Sequence, residues 1–459
     1  MDRKQRILFL CDASDVEEVE DSFAGQSAYE LSIETTEKIL SFGVREYLYQ
    51  TVERINHHPE IYDGVVGTHD SSAVFAAIIA EKTGKRFASV QSIICCQNKY
   101  LCRRIQRACI PGHTPDFCLA LDYLRNPDRL RAPFFIKPVR ANISFGTHRI
   151  ETPQQLEFYI GSESMDIARF NQYYLEAIGS YSEHYNAINM ATCNSFLCED
   201  LIEGNQVTVD GYIFEGEVTC FGVTKAVFHP QTNSFSHHEF PYELSAGLHS
   251  AITSALSRLI PETGLNNSFF NVELRIDETA ETFKIIEVNS RIAFQFARTI
   301  EAVTGISPLY MLCDVAVGRR PALTPKTEHL FNYCYNFELH RFSDAKILQT
   351  PTKSVFDEIA LKYPEVRIRN LIHENVNLSD FKHNPESFRY CILDVPGNSR
   401  EEIMSKYEDV TALLSYKFAT PDKNRRSGES AGQPAEQIIG RGYELNFQPG
   451  VEAGERKQL

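Results

Sequence analysis

Phe269-Phe270-Asn271-Val272-Glu273-Leu274-Arg275-Ile276, then Asp277 to Thr282, then Phe283-Lys284-Ile285-Ile286-Glu287-Val288-Asn289-Ser290-Arg291 is the stretch on which the fold turns. Two alternating apolar and polar runs flank a polar turn, the pattern of an antiparallel hairpin. With the turn centred near Ala280, position 273 lies opposite position 287, so two carboxylates face each other across adjacent strands. Opposed like charges cost stability, and a shared cation offsets that cost. Side chains two apart share a strand face, so Asn289 joins Glu287. Two carboxylates and a carboxamide oxygen are hard ligands that suit Mg²⁺ gripping phosphate oxygens. Arg291, two further on, offers a fixed fork to a carboxylate or a transferring phosphoryl group. Either glutamate alone reads as a solvated strand residue. The opposed pair together with the Glu-x-Asn-x-Arg run is what raises the metal reading beside it.

The chain has 459 residues, 43% hydrophobic and 23% charged, with a formal net charge of −15. That length supports a sizeable core and two to four domains. A protein that grips a nucleic-acid backbone shows a basic surplus or stripe, and none is present, so nucleic-acid binding is not expected. No stretch approaches the roughly 20 apolar residues needed to span a bilayer; the longest candidate, Ala73 to Ala80, stops at Glu81 and Lys82. Met1 to Arg6 is polar, and Ile7 to Cys11 is too short for a secretory h-region. The twelve cysteines lie in apolar surroundings without C-x-x-C pairs or zinc spacing. They read as reduced, buried thiols, and the expected location is cytoplasmic with no membrane partner.

The first hundred residues alternate strand and helix. Ile7–Cys11 reads as a strand, Ser27–Leu40 and Glu46–His57 as helices, and Tyr62–Gly67 as a strand ending in Thr68-His69-Asp70. Ser71 and Ser72 can cap a helix that runs to about Thr83, with Gly84 as its stop. This rhythm predicts a parallel sheet. Neither G-x-G-x-x-G nor G-x-x-x-x-G-K-[ST] occurs, so both common phosphate loops are absent. Residues 95–109 read as one basic helix carrying Lys99, Arg103, Arg104 and Arg107. A strand-rich region is expected from Pro133 to about residue 292, then a helix from about Ala293 to Gly318. Strands near Asn332–Phe342 and Tyr390–Val395 and a helix near Arg400–Leu414 suggest a further α/β lobe. From about Pro421 the composition turns polar, predicting a flexible tail with one short ordered stretch at Tyr443–Phe447.

Glu273, Glu287, Asn289 and Arg291 resemble, position by position, the Glu-φ-Asn-Pro-Arg strand end and preceding hairpin Glu of the ATP-grasp superfamily, with Ser290 in place of Pro. Over residues 60 to 320 the rest of the superfamily order is similar too. Gly67-Thr68-His69-Asp70 looks like the preceding domain, Gln97-Asn98-Lys99-Tyr100 like the start of the linking helix, and Phe134 to Val139 like the strand carrying a second phosphate lysine. Phe196 to Gly204 looks like the hinge, and Val209 to Tyr212 with Gly216 to Val218 like the sheet that follows. The resemblance implies a mixed α/β and α+β architecture. It comprises an N-terminal parallel pre-ATP-grasp domain (1–98), a linking helix and small lobe (99–190), a large lobe with the metal site (191–320), a C-terminal α/β lobe (321–420) and the tail (421–459).

The resemblance also assigns roles. Lys99 and Lys137 bind the α- and β-phosphates of ATP. Adenine sits at the hinge, where Glu199 or the carbonyl of Asp200 accepts from its amine and the Leu201 N–H donates, on an open strand edge. Gln206 stands where the family has a ribose-binding Glu. The loop after Lys137 holds one glycine, Gly146, where the family is glycine-rich; Arg140 and Ser144 could supply side-chain contacts instead. Lys225 either faces the γ-phosphate or is a solvated strand residue. His237 and His238, on opposite strand faces, are poor joint metal ligands and read as structural, though one could line an acceptor pocket. The implied reaction is ATP- and Mg-dependent (Mn could replace Mg). A small-molecule carboxylate is activated as an acyl phosphate and joined to an amine, amino acids foremost, with release of ADP and phosphate. Arg291 orients the acid. A homodimer is compatible with the resemblance. The alternative is a non-catalytic ATP-binding sensor or partner protein.

Overall fold

The computed structural model describes residues 3–25, 28–142, 145–181, 187–324, 331–381 and 387–419. The expected tail and its stretch at Tyr443–Phe447 fall outside these residues. The N-terminal unit is a parallel sheet, β1 (Gln5–Cys11), β2 (Tyr29–Thr35) and β3 (Gly64–Gly67), in the order β2-β1-β3. Helices α1 (Val16–Phe23), α2 (Thr36–Phe42), α3 (Val44–His57) and α4 (Asp70–Thr83) connect and cover it. The helix expected over Ser27–Leu40 is instead strand β2 followed by α2. Tyr29, Leu31 and Ile33 alternate with polar residues, and β2 pairs in register with β1. Tertiary pairing overrides helix propensity there. Helix α4 is capped by Ser72, whose Oγ accepts from the His69 N–H at 2.9 Å, and stops at left-handed Gly84.

The expected helix over 95–109 is two helices, α5 (Val90–Gln97) and α6 (Lys99–Cys109). Extended Asn98 separates them, and its side chain caps α6 by accepting from the Leu101 N–H at 3.0 Å. A small sheet follows, made of β4 (Phe117–Leu119), β5 (Phe134–Pro138), β6 (His148–Ile150) and β7 (Phe196–Asp200), in the order β4-β7-β5-β6. Helices α7 (Ala120–Arg125), α8 (Pro153–Phe170), α9 (Gln172–Tyr181) and α10 (Ala187–Thr192) belong to this lobe. Much of the span expected to be strand-rich is therefore helical.

The largest sheet has eight strands in the order β12-β11-β8-β9-β10-β13-β16-β15. They are β8 (Asn205–Phe214), β9 (Glu217–Phe228), β10 (Phe235–Phe240), β11 (Ser268–Asp277), β12 (Thr282–Asn289), β13 (Tyr333–Arg341), β15 (Arg367–Asn370) and β16 (Phe388–Gly397). A minor pair joins β14 (Ile347–Gln349) to β17 (Lys417–Phe418). The strands expected to found a lobe beyond residue 321 thus extend this sheet rather than build a separate one. Helix α11 (Ala246–Glu262) shares a core with the apolar face of β8, β11 and β12: Leu248, Ile252 and Leu256 join Val207, Val272, Leu274 and Ile285. The helix expected over Ala293–Gly318 is split into α12 (Ala297–Thr304) and α13 (Pro308–Ala316) by left-handed Gly305 and by Pro308 at a helix start. Helices α14 (Lys353–Lys362) and α15 (Arg400–Leu413) are the last helices among the described residues, with α15 packed on β13 and β16. Among the described residues no helix is long and apolar enough to cross a membrane.

Candidate active site

Strands β11 and β12 pair Glu273 with Glu287 and Asn271 with Asn289. The ladder then slips, because Leu274 pairs with Ile285 and Ile286 is left over as a bulge. Ile285 packs in the core with Leu274, while Glu287 and Asn289 stand with Glu273 on the other face. Lys99 Nζ lies 2.8 Å from Glu287 Oε1. Glu273 accepts from Gln206 Nε2 at 3.1 Å and from Asn289 Nδ2 at 3.4 Å. Burial and the neighbouring Glu287 charge push the Glu273 carboxyl above its ordinary value. The polar row continues across the sheet, where Asn271 Nδ2 donates to Asp210 Oδ1 at 2.9 Å. Burial pushes Asp210 up to about 7, and its second oxygen has no hydrogen-bond partner among the described residues. Acids crowded together with amide donors, one lysine and the nearby Arg291 to offset them, and with Glu273 and Asp210 still pushed up, fit a divalent cation. Glu273, Glu287 and Asn289 are the residues that could hold it.

Because β12 is the edge strand of the sheet, the carbonyl of the bulged Ile286 is free to accept from outside. It takes Arg103 Nη2 at 2.7 Å and Lys137 Nζ at 3.4 Å. Lys137 also reaches Glu199 Oε2 at 2.5 Å, and Arg103 Nε reaches Glu199 Oε1 at 2.5 Å. Burial opposes a charge on Glu199, yet the Arg103 and Lys137 cations hold it down to about 2. Burial pulls Lys137 below its ordinary value. The Glu199 side chain is therefore committed to cations rather than turned towards a base. The open hinge edge is also corrected: β7 pairs with β4 on one side and β5 on the other up to Asp200. Backbone groups become available only after Asp200, at Leu201 to Glu203, where no ladder runs.

The loop after Lys137 differs from expectation as well. Arg140 is buried beneath the site: it donates to Gln97 Oε1 at 3.0 Å and Asn171 Oδ1 at 2.9 Å, and lies 3.8 Å over the Tyr174 ring. Ser144 falls outside the described residues. Gly146 has φ +65°, where a side chain would be strained and would strike Pro138. Lys99 Nζ donates to the Ala141 carbonyl at 2.7 Å and so ties this loop to Glu287.

Arg291 donates from Nε to Asp70 Oδ1 at 3.2 Å and from Nη1 to the Ile292 carbonyl at 3.2 Å. Asp70 opens α4, so the N-terminal unit reaches into the site. Burial works against its charge, and Arg291, Arg140 and Lys99 keep it below the usual carboxylate range. Lys225 does not join this group. Thr208 lies opposite both Glu273 and Thr224, which puts Lys225, opposite Val207, on the reverse face of the sheet. Its ammonium sits 4.9 Å over the Tyr242 ring. His237 and His238 also diverge: His237 is 3.3 Å from Glu239, whereas His238 faces Glu338 at 3.8 Å.

Sequence reading missed Arg103, Asp70, Asp210 and Asn271 as site residues. Asn271 was within reach, because it lies two before Glu273 and shares its strand face. Nothing local marks Arg103, whose partners at the site, Glu199 and the Ile286 carbonyl, are 96 and 183 residues away.

Residues 130–299 match the sequence profile of the ATP-grasp domain. No curated protein matches the sequence. Among solved structures, the L-amino acid ligase from Bacillus licheniformis superimposes with a TM-score of 0.67 at 16% identity, covering 92% of this chain and 100% of that one. Phosphoribosylglycinamide synthetase from Anaerococcus prevotii superimposes with a TM-score of 0.59 at 14% identity, covering 90% and 100%. N5-carboxyaminoimidazole synthase from Aspergillus clavatus, solved with ADP and 5-aminoimidazole ribonucleotide, gives 0.59 at 13% identity, covering 89% and 98%. The chain has the ATP-grasp fold.

Proposed function

We propose that this ATP-grasp protein is a ligase that uses ATP to activate a carboxylic acid as an acyl phosphate and joins it to an amine, releasing ADP and phosphate. The observation that carries the reading is the opposed pair Glu273 and Glu287 with Asn289 beside them and Arg291 just beyond. Mg²⁺ held there would supply positive charge to the β- and γ-phosphates of ATP. Lys99 and Lys137, on α6 and β5, would spread the remaining phosphate charge. Leu201 to Glu203 offer backbone groups to adenine. Arg291, fixed in direction through Nε by Asp70, would orient the substrate carboxylate as it attacks the γ-phosphorus. It would then stabilise the oxyanion that forms when the amine attacks the acyl carbon. No side-chain nucleophile is required. The lobes on either side of the hinge keep water from the acyl phosphate.

The test is an incubation with ATP and Mg²⁺ against a panel of amino acids and amines, recording ADP, AMP and phosphate. ADP and phosphate formed only when two co-substrates are present support ligation. AMP formation means a different activation chemistry. ATP that raises the melting temperature without turnover favours a nucleotide-binding sensor. A Glu287→Ala variant that keeps both turnover and ATP-induced stabilisation sinks the site assignment.

A further inference from the structure

Arg103 is 2% exposed, and its guanidinium spans three elements. From α6 it donates to both Glu199 oxygens on β7, at 2.5 and 3.2 Å, and to the bulged Ile286 carbonyl on β12 at 2.7 Å. Gln106, one turn along, accepts a further bond at 2.5 Å. Lys137 converges on the same two acceptors, Glu199 and the Ile286 carbonyl. One carboxylate and one carbonyl therefore serve two cations. Lys99 is matched separately by Glu287, so Arg103 and Lys137 together carry one positive charge more than Glu199 offsets.

We propose that Arg103 is a positioning residue for nucleotide binding, holding Glu199 and Ile286 so that Lys137 is shared rather than locked in a closed ion pair and stays available to phosphate. This rests on the ATP reading above. A buried carboxylate with one cationic partner pairs with it tightly, because little water competes. Arg103 occupies both Glu199 oxygens and the carbonyl in a fork that lysine cannot reproduce. Without it, Glu199 would neutralise Lys137 alone, the corner would lose its net positive charge, and a triphosphate would be drawn in less strongly.

The experiment is calorimetric titration of the full chain with ATP in Mg²⁺ and, separately, with adenosine, which lacks phosphate. The proteins are wild type, Arg103→Met, Lys137→Met and the double variant, each checked for native unfolding behaviour without nucleotide. Arg103→Met is expected to weaken ATP binding by about tenfold or more, the scale of one buried charge-assisted contact, and to leave adenosine affinity unchanged. In the double variant Arg103→Met should add little to the Lys137→Met loss, because the two act through one contact. Should Arg103→Met not fold, Arg103→Lys carries the same test with a smaller loss of about threefold, since it keeps the charge but not the fork. The proposal is overturned if a folded Arg103 variant binds ATP like the wild type. It is also overturned if ATP and adenosine weaken equally, or if the losses simply add. A wild-type protein that binds no ATP removes the nucleotide reading itself, a result distinct from these.

Discussion

Glu273 on β11 and Glu338 on β13 stand on the same face of the same eight-stranded sheet, four strands apart, and the protein treats their charges in opposite ways. The registers establish the shared face: Glu273 lies opposite Thr208 and Thr208 opposite Thr224, two from Ala226. Ala226 lies opposite His238 and His238 opposite Asn336, two from Glu338. Glu338 is buried and receives Gln295 at 2.8 Å, Arg389 at 3.1 Å and His340 at 3.2 Å. Burial opposes its charge, yet Arg389, His340 and His238 hold it well below the usual carboxylate range. Glu273 is partly exposed, takes amide donors, and is pushed up by burial and by the neighbouring Glu287 charge. A satisfied acid is architecture. An acid left short of positive charge beside another acid is a place for something that arrives from outside.

The largest expected effect lies at the acid pair proposed to hold Mg²⁺. Glu287→Ala should lower ATP turnover by about 10²–10⁴-fold, the scale of several kcal/mol of lost charge stabilisation, with a smaller loss of stability than Glu338→Ala causes, because Lys99 keeps the Ala141 carbonyl as an acceptor. Steady-state assays beside thermal melts check both halves. Next comes Glu338→Ala, which takes the shared acceptor from His340, Gln295 and the part-exposed Arg389 and should cost about 1–3 kcal/mol of stability, read from denaturant unfolding. If Glu287→Ala is the more destabilising of the two, the contrast fails.

The third effect is ionic. Glu273, raised above its ordinary value of 4.5, contributes stability that is full below that value and is lost as pH rises through the raised one. Bound Mg²⁺ needs both acids ionised, so its protection should grow across the same window. At saturation near 100 times the dissociation constant it should reach about 2.7 kcal/mol, and chelation should remove it. Melting scans with and without Mg²⁺ at about pH 5 and about pH 8 would reveal the trend; a Mg²⁺ effect independent of pH would break the argument. The smallest effect belongs to the reverse face. Lys225→Met should leave turnover within about twofold and cost at most about 1 kcal/mol, the size of a cation–π contact with Tyr242. A large loss of turnover would return Lys225 to the site.

The opposed acid pair was legible because most of its signals are local. An Asn two residues after Glu287 on the same face follows from strand periodicity, whereas the facing of Glu273 and Glu287 also needs Ile286 to bulge out of the ladder, because the turn pairs Asp277 with Thr282. What escaped the sequence depends on distant partners. Residues 29–35 carry both apolar alternation and helix-compatible composition, and pairing with β1 decides for the strand. Glu199 reads as a hinge acid until Arg103 and Lys137 meet it in space. Lys225 could face either way until the register with Val207 decided it. The strands after residue 331 alternate well enough to be found, but nothing in them says that they continue an existing sheet.

The doubled apolar pair Ile285-Ile286 marks where β12 carries one residue more than its partner. The two acids do not need that residue: a chain lacking Ile286 would still set Glu287 next to Ile285 and opposite Glu273. What such a shortened chain would lose is the outward carbonyl on which Arg103 and Lys137 converge. A single inserted codon thus separates two duties within one strand, and the cation grip could be acquired or discarded without disturbing the acid pair.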